Sequence, residues 1–394
     1  MTAWLQATEA DEETIDTFLQ VPEHVADVFD CLGVFEIKTM IESRLGHLEK
    51  LVVKTVDVMK RFAHGEGDMR YVLNGLRFVT RIMALALEYK HQIEELFWGE
   101  KALAFSIVEA VMGLCFCSKF TTPVRDADLS LSELIWYSGL AREKTAASAF
   151  EANRIEVLRC LLACCVETVY TSQADLRTYR NPWVWLWSCK DLKHTKALFF
   201  SLLNAVLGYQ TEGWFGSAYS ASRDLVQLCA QLLMILIDSE IPTLDMIQQH
   251  PSLQRAQRSV QKLHSAAEGP LSGATHLPLV QVYSQQVKEL SDPLDFDYLA
   301  VNLIRLLSTA RADPFLMEEL LLLLWEFIEL NPKFEAHICG EAYATELFKC
   351  LLYFMWTHYK DSQKIGVVQM CSFLLLHLSG GNCQSSPQFL HIPQ

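Results

Sequence analysis

Apolar residues recur along almost the whole chain at spacings of three and four, the period that gathers side chains on one face of an α-helix. Ile155, Leu158, Leu162, Cys165 and Val169 make one such stripe. Leu225, Leu228, Cys229, Leu232 and Leu236 make a second, and Phe296, Leu299, Leu303, Leu306 and Leu307 a third. Alternating Val, Ile and Thr runs are scarce, so helices are expected throughout. Trp98, Trp136, Trp325 and Trp356 each fall inside an apolar stripe and are expected in the core.

Punctuation supports the pattern. Asn181-Pro182, Asp292-Pro293, Asp313-Pro314 and Asn331-Pro332 each join a side-chain acceptor for the unpaired amides of a first turn to a proline that lacks an amide. Each predicts a helix start. Ser130 and Glu133 have the spacing of a capping box before the run containing Ile135 and Trp136.

Helices of roughly 12 to 22 residues joined by short connections predict an all-α fold, an α-solenoid-like array of stacked helical hairpins of the HEAT/armadillo type. No strict repeat of about 34 or 40 residues is present. The expected organisation is an acidic segment over 1–20, a helical block over 21–265, a connector over 266–279, a second block over 280–380 and a flexible tail over 381–394. The connector is marked by Gly269, Pro270, Gly273 and Pro278.

Composition narrows the function. Half of the residues are apolar (51%) and only 20% are charged, so the chain can bury a large core. Lys and Arg number 33 against 47 Asp and Glu, a net charge of −14. That balance argues against nucleic acid and repels anionic lipid, so membrane attachment needs a local patch, a lipid or a partner. The first twenty residues carry Glu9, Asp11, Glu12, Glu13 and Asp16 and no basic n-region, so no secretory signal is expected. The 12 cysteines are then expected to be reduced, buried and cytosolic. The longest uncharged stretch, Ile365 to Leu378, is shorter than the roughly 18 residues a membrane span needs.

Catalytic, metal and cofactor sites are expected to be absent. Cys115 with Cys117, Cys164 with Cys165, and His337 with Cys339 lack the second ligand pair of a structural metal site. Phosphate-binding and hydrolase motifs are missing. Asp295 and Asp297 open a helix, where carboxylates complement the amide dipoles. An enzyme assembled from scattered residues would draw on Cys164, His194 and Asp295, but cysteines inside apolar stripes are dulled by burial.

The most suggestive local feature is Trp183, Trp185 and Trp187, followed by Lys190, Lys193, His194 and Lys196. Aromatics beside lysines can seat a protein at a lipid interface or on a partner. Alternatively the tryptophans fill a seam between helices and the lysines form a solvated face.

Seven runs, in order, resemble the high-temperature-induced dauer-forming protein family, distant relatives of dymeclin: residues 74–88, 132–141, 153–170, 181–189, 199–209, 318–334 and 365–380. The resemblance implies a non-catalytic cytosolic protein, peripheral on Golgi membranes, acting in protein sorting and in secretory granule or dense-core vesicle biogenesis. Its partners would be proteins of the Golgi and secretory machinery, with no small-molecule substrate. Family members can carry a myristoylated glycine at position two, where this chain has Thr2. They are about twice as long, and the apolar face of Ile365 to Leu378 is expected to make the isolated chain self-associate. The competing expectation is a cytosolic cargo adaptor that binds linear peptides.

Overall fold

Because side chains three and four apart share a face, each apolar stripe can be sealed only by a neighbouring helix, and the structure is built from such pairings. The computed structural model describes residues 12–20, 22, 25–123, 139–140, 150–176, 178–189, 192–210, 221–268 and 281–380. Among these residues every regular element is helical and no strand occurs. The proposed capping box at Ser130 and Glu133, Trp136, the connector glycines and prolines, and residues 381–394 lie outside the described residues.

The first helices are α1 (Glu12–Gln20), α2 (Val25–Cys31), α3 (Val34–Ser43), α4 (Leu45–Ala63) and α5 (Met69–Ala86). Then follow α6 (Lys90–Trp98), α7 (Leu103–Cys115), α8 (Glu151–Cys165), α9 (Pro182–Trp187) and α10 (Thr195–Leu207). Next come α11 (Arg223–Ile237), α12 (Leu244–Gln249), α13 (Pro251–Glu268) and α14 (Val282–Glu289). The last are α15 (Pro293–Ala310), α16 (Met317–Leu330), α17 (Pro332–Ile338), α18 (Glu341–His358) and α19 (Ile365–Gly380). They fall into two compact units. Unit 1 holds α1 to α9, α12 and α13; unit 2 holds α11 and α14 to α19; the boundary runs through α10, after Leu198.

In unit 1, α5 is the central element and packs on α1, α3, α4 and α8. The turn that aims it contains Gly65 and Gly67, both at positive φ (93° and 114°), where a Cβ would be strained. Asp68 then accepts from the Arg70 amide at 2.8 Å to start the helix. Gly75 lets α4 and α5 close together, because a Cβ there would lie 2.9 Å from Thr55 Cγ2. Beside it the buried Asn74 donates to the carbonyls of Leu19 and Pro22, both at 2.9 Å, fastening the end of α1 to α5. The loop after α7 is stitched to α8 by Arg154 Nε, which donates to the Thr121 carbonyl at 2.8 Å, and by Asn153, which donates to Phe120 at 2.9 Å.

In unit 2, α15 packs on α16, α17 and α18, α16 packs on α11 and α19, and α18 packs on α19. Arg305 of α15 donates to the carbonyls of Leu207 (2.8 Å) and Tyr209 (2.9 Å), giving a positive charge to the C-terminus of α10. The second and third sequence stripes are fully buried, on α11 and α15.

Three of the four predicted proline starts are helix starts. Asn181, Asp292 and Asn331 each accept from the amides that follow the proline. Asp313 departs from the expectation: α16 begins at Met317, after Leu316 in the left-handed region (φ 63°). The Asp313 carboxylate holds Arg223 at 2.8 and 3.2 Å, and the Arg223 guanidinium lies 4.1 Å from the Phe315 ring centroid. That clasp organises a turn ahead of the helix. The first stripe also breaks at its end, because α8 stops at Cys165 and a 3-10 turn over Val166–Tyr170 leaves Val169 77% exposed.

Candidate functional site

Unit 1 buries the three tryptophans that the sequence singles out, and Trp183 packs behind two aromatic residues that line a cleft. Asn181 Oδ1 accepts from the Trp183 amide (2.9 Å) and the Val184 amide (3.4 Å), while its Nδ2 donates to the Cys165 carbonyl (2.9 Å) and Thr168 Oγ1 (3.1 Å). One side chain therefore starts α9 and ties it to the end of α8. From there α9 packs against α7, α8 and α13. Trp183, Trp185 and Trp187 are all buried, at 0%, 8% and 0% exposure. Trp183 meets Phe97 and Trp98 edge to face, with centroids 5.5 and 5.2 Å apart. Lys193 and Lys196 stand on the surface, and Lys190 lies outside the described residues.

In front of Phe97 and Trp98 a cleft of about 350 Å³ opens, with Leu87 and Ile93 completing its apolar wall. Its polar lining is acidic: Glu94, Glu167 and Asp175, with His91 and His250 at the edge. Tyr179 Oη donates to Glu167 Oε1 at 2.5 Å. Burial, then the Glu167 charge, pushes the Tyr179 phenol well above its ordinary value, so it stays a donor. Glu94 Oε1 and Thr171 Oγ1 are buried without a hydrogen-bond partner. A protonated amine or guanidinium matches such a lining better than an anion.

The scattered-enzyme residues have other surroundings. Cys164 is fully buried; its hydrogen bond with Cys160 and burial hold its thiol well above the usual range. Burial raises Cys165 likewise and Cys115 to about 12. His194 stacks on Phe116 at 4.9 Å. Among the described residues, no cluster of His, Cys, Asp and Glu could hold a metal ion, and no helix is long and apolar enough to cross a membrane.

In unit 2, Asp297 does more than complement a helix dipole. Its Oδ1 accepts from Tyr343 Oη at 2.6 Å and meets His337 Nε2 at 2.9 Å, latching α15 to α17 and α18. The Tyr343 hydrogen bond, followed by His337, holds the Asp297 carboxyl below its usual range. Sequence spacing gave His337 no ligand partner; the fold supplies a carboxylate 40 positions away.

Two features escaped the sequence. The cleft gathers residues from 87–98, 167–179 and 250–252, which no local spacing connects. The other is Trp356, expected in the core but 77% exposed. Helix α18 buries Leu347, Cys350, Leu351 and Phe354 and exposes Leu352 and Trp356 on its opposite side, with the exposed Tyr359 just past its end. Two stripes on one helix were the available signal.

These features define an all-helical protein whose distinguishing surfaces are a cleft and an open apolar face. The chain belongs to the high-temperature-induced dauer-formation protein family, whose model matches residues 5–386. It is similar to Protein HID1 of Mus musculus, 26% identical over 404 residues, covering 90% of this chain and 49% of that protein. Against Protein HID1 of Homo sapiens the identity is 26% over 430 residues, with 96% and 53% covered. The Ubp5-interacting protein ftp105 of Schizosaccharomyces pombe is 26% identical over 309 residues, 73% of this chain and 31% of that protein. The chain thus spans about half the length of the mouse and human relatives it matches. No solved structure matches it.

Proposed function

We propose that this chain is part of a non-catalytic scaffold, peripherally associated with Golgi membranes, that acts in protein sorting and in secretory or dense-core vesicle biogenesis. The family match over residues 5–386 carries this reading. The α-solenoid belongs to the same proposal. Helices adjacent in sequence pack as pairs, α4 on α5, α15 on α16 and α18 on α19, which is the local unit of such an array. Small-angle scattering tests the shape: a radius of gyration well above the roughly 21 Å of a compact globule of this length supports it, and a value at that level removes it. Tagged protein overlapping Golgi markers in cells supports the location, whereas a purely nuclear or extracellular signal overturns it.

The acidic cleft favours one second reading, a cargo adaptor that holds a basic linear peptide. Glu94, Glu167 and Asp175 against the wall of Phe97 and Trp98 provide charge and apolar contact together. Capture of a short lysine-rich peptide that is weakened by Glu94→Gln supports the adaptor; capture unchanged by that substitution removes it.

A further inference from the structure

Helix α5 carries charge of one sign in a chain of the other. It contains Arg70, Arg77 and Arg81 and no Asp or Glu, whereas the whole chain has a net charge of −14. Asn74, Arg77 and Arg81 all fall within about 40° of Arg70 around the helix axis, so the four residues form one stripe. On that stripe a second cleft of unit 1, of about 290 Å³, opens between Pro22 and Arg70, Leu73, Asn74 and Arg77. Among the described residues no carboxylate lines it. Arg77 is set in place from behind. The carbonyls of Leu19 and Pro22 hold the Asn74 amide nitrogen, which leaves Asn74 Oδ1 to accept from Arg77 Nη1 at 3.1 Å. Glu156 of α8 lies 3.8 Å from Arg77 Nε, too far for a hydrogen bond, and that Nε is buried without a hydrogen-bond partner. The Arg77 side chain is only 16% exposed, yet its guanidinium, a fork of several N–H donors, makes a single hydrogen bond among the described residues. Arg70 breaks a local rule, because it stands in the first turn of α5, where the helix dipole disfavours a cation and stabilises an anion. Its carboxylate neighbour Asp68 is 3.9 Å away and already accepts from the Arg70 amide.

We propose that this cleft binds a phosphate monoester, with Arg70 and Arg77 as its two charged contacts. Guanidinium forks match phosphate oxygens in geometry, and two of them suit a group with nearly two negative charges better than a carboxylate with one. The phosphate supplies acceptors for the donors that Arg77 leaves unused and places negative charge beside the first turn of α5. Glu156 does not cancel the pair, because it is shared: its Oε1 lies 3.8 Å from Arg77 Nε and 3.5 Å from Arg159 Nη1, so one carboxylate faces two guanidiniums. The volume corresponds to roughly ten waters, room for a phosphate together with part of the molecule that carries it, against the apolar walls of Leu73 and Pro22. A soluble polyol phosphate and a lipid headgroup present this same group.

Two measurements on the full chain test the site and separate the carriers: calorimetric titration with inositol hexakisphosphate, and flotation with phosphatidylcholine vesicles with and without a phosphatidylinositol monophosphate. The expected result is saturable binding of at least one phosphorylated probe, weakened at least tenfold by Arg70→Ala. Arg70 is exposed, so folding should persist, and circular dichroism with thermal unfolding verifies it. Arg77→Gln, which keeps a donor for Asn74, should weaken binding at least as much. Lys349→Ala, which removes an exposed charge from unit 2, should leave binding unchanged. Uptake of the soluble probe assigns a polyol phosphate, and flotation alone assigns a lipid headgroup; both support the site. Absence of binding to either probe overturns the proposal. Binding that Arg70→Ala leaves unchanged, or that Lys349→Ala weakens equally, overturns it as well.

Discussion

In unit 1, Trp183, Trp185 and Trp187 lie within a few residues of several lysines, yet every ring is inside. In unit 2, Trp356 and Tyr359 sit in a segment that reads as core and are open to solvent. The difference is geometric. Positions two apart on a helix lie about 200° apart around its axis, so Trp183 and Trp187 share one side and Trp185 takes the other. A strand would have turned all three to one face; the short helix α9 has to be enclosed, and α7, α8 and α13 enclose it. Trp356 is in the opposite position, because the inward side of α18 is already filled by Leu347, Cys350, Leu351 and Phe354. Aromatic content is therefore a poor guide to surface, and the angle between apolar positions a better one.

The largest test of this contrast is truncation of one ring from each region. Trp183→Ala removes a fully buried indole that packs on Phe97 and Trp98 and should cost about 3–5 kcal/mol. Trp356→Ala should change stability by no more than about 0.5 kcal/mol. Denaturant unfolding of both variants measures the gap, and equal losses would break the contrast.

The next effect compares two asparagines with the same device. Asn181 in unit 1 and Asn331 in unit 2 each precede a proline, cap a helix and donate backwards to an earlier helix end. Asn331 is the more buried, and its Nδ2 reaches the carbonyls of Val287 (2.7 Å) and Leu290 (2.9 Å). Alanine there leaves two buried carbonyls short of a donor and should cost about 3 kcal/mol, against about 2 kcal/mol for Asn181→Ala. A larger loss at Asn181 would reverse the ranking of the two junctions.

Unit 2 also buries Glu326, whose carboxyl is pushed up to about 7 by burial and then by Asp238 and Glu329. The folded state holds this proton more tightly than the unfolded chain, whose value is near 4.5. Stability should accordingly fall as pH rises from about 4.5 to about 7 and stay level beyond. Glu326→Gln should recover about 1–3 kcal/mol at pH 8 and nothing at pH 4. Unfolding curves across pH check the sign; a variant weaker than wild type at pH 8 would contradict it.

Much of the fold was legible because it is local. The stripes on α11 and α15 and the caps at Asn181, Asp292 and Asn331 depend on neighbours within a turn, and the sequence carries that information directly. Val169 and Asp313 were misread because a 3-10 turn and an arginine 90 positions away decide their surroundings. The candidate sites were less legible. Glu94, Glu167 and His250 meet only through tertiary packing, as do Asp297, His337 and Tyr343. Trp356 shows the converse limit: periodicity reveals that a face is apolar, but not whether a neighbour has already filled the inward side.

The smallest expected effect belongs to the lysines that follow α9. With the rings of Trp183, Trp185 and Trp187 turned inward, Lys193 and Lys196 have no apolar patch of that segment beside them to enter a lipid interface. Two lysines near an anionic surface supply about 2 kcal/mol, set against the repulsion of a chain with net charge −14. Changing both to Ala should alter stability by less than about 0.5 kcal/mol, read by thermal unfolding. Flotation with vesicles containing phosphatidylserine should be the same before and after. A tenfold loss of vesicle binding with unfolding unchanged would restore these lysines as a membrane contact, acting without the tryptophans that sequence placed beside them.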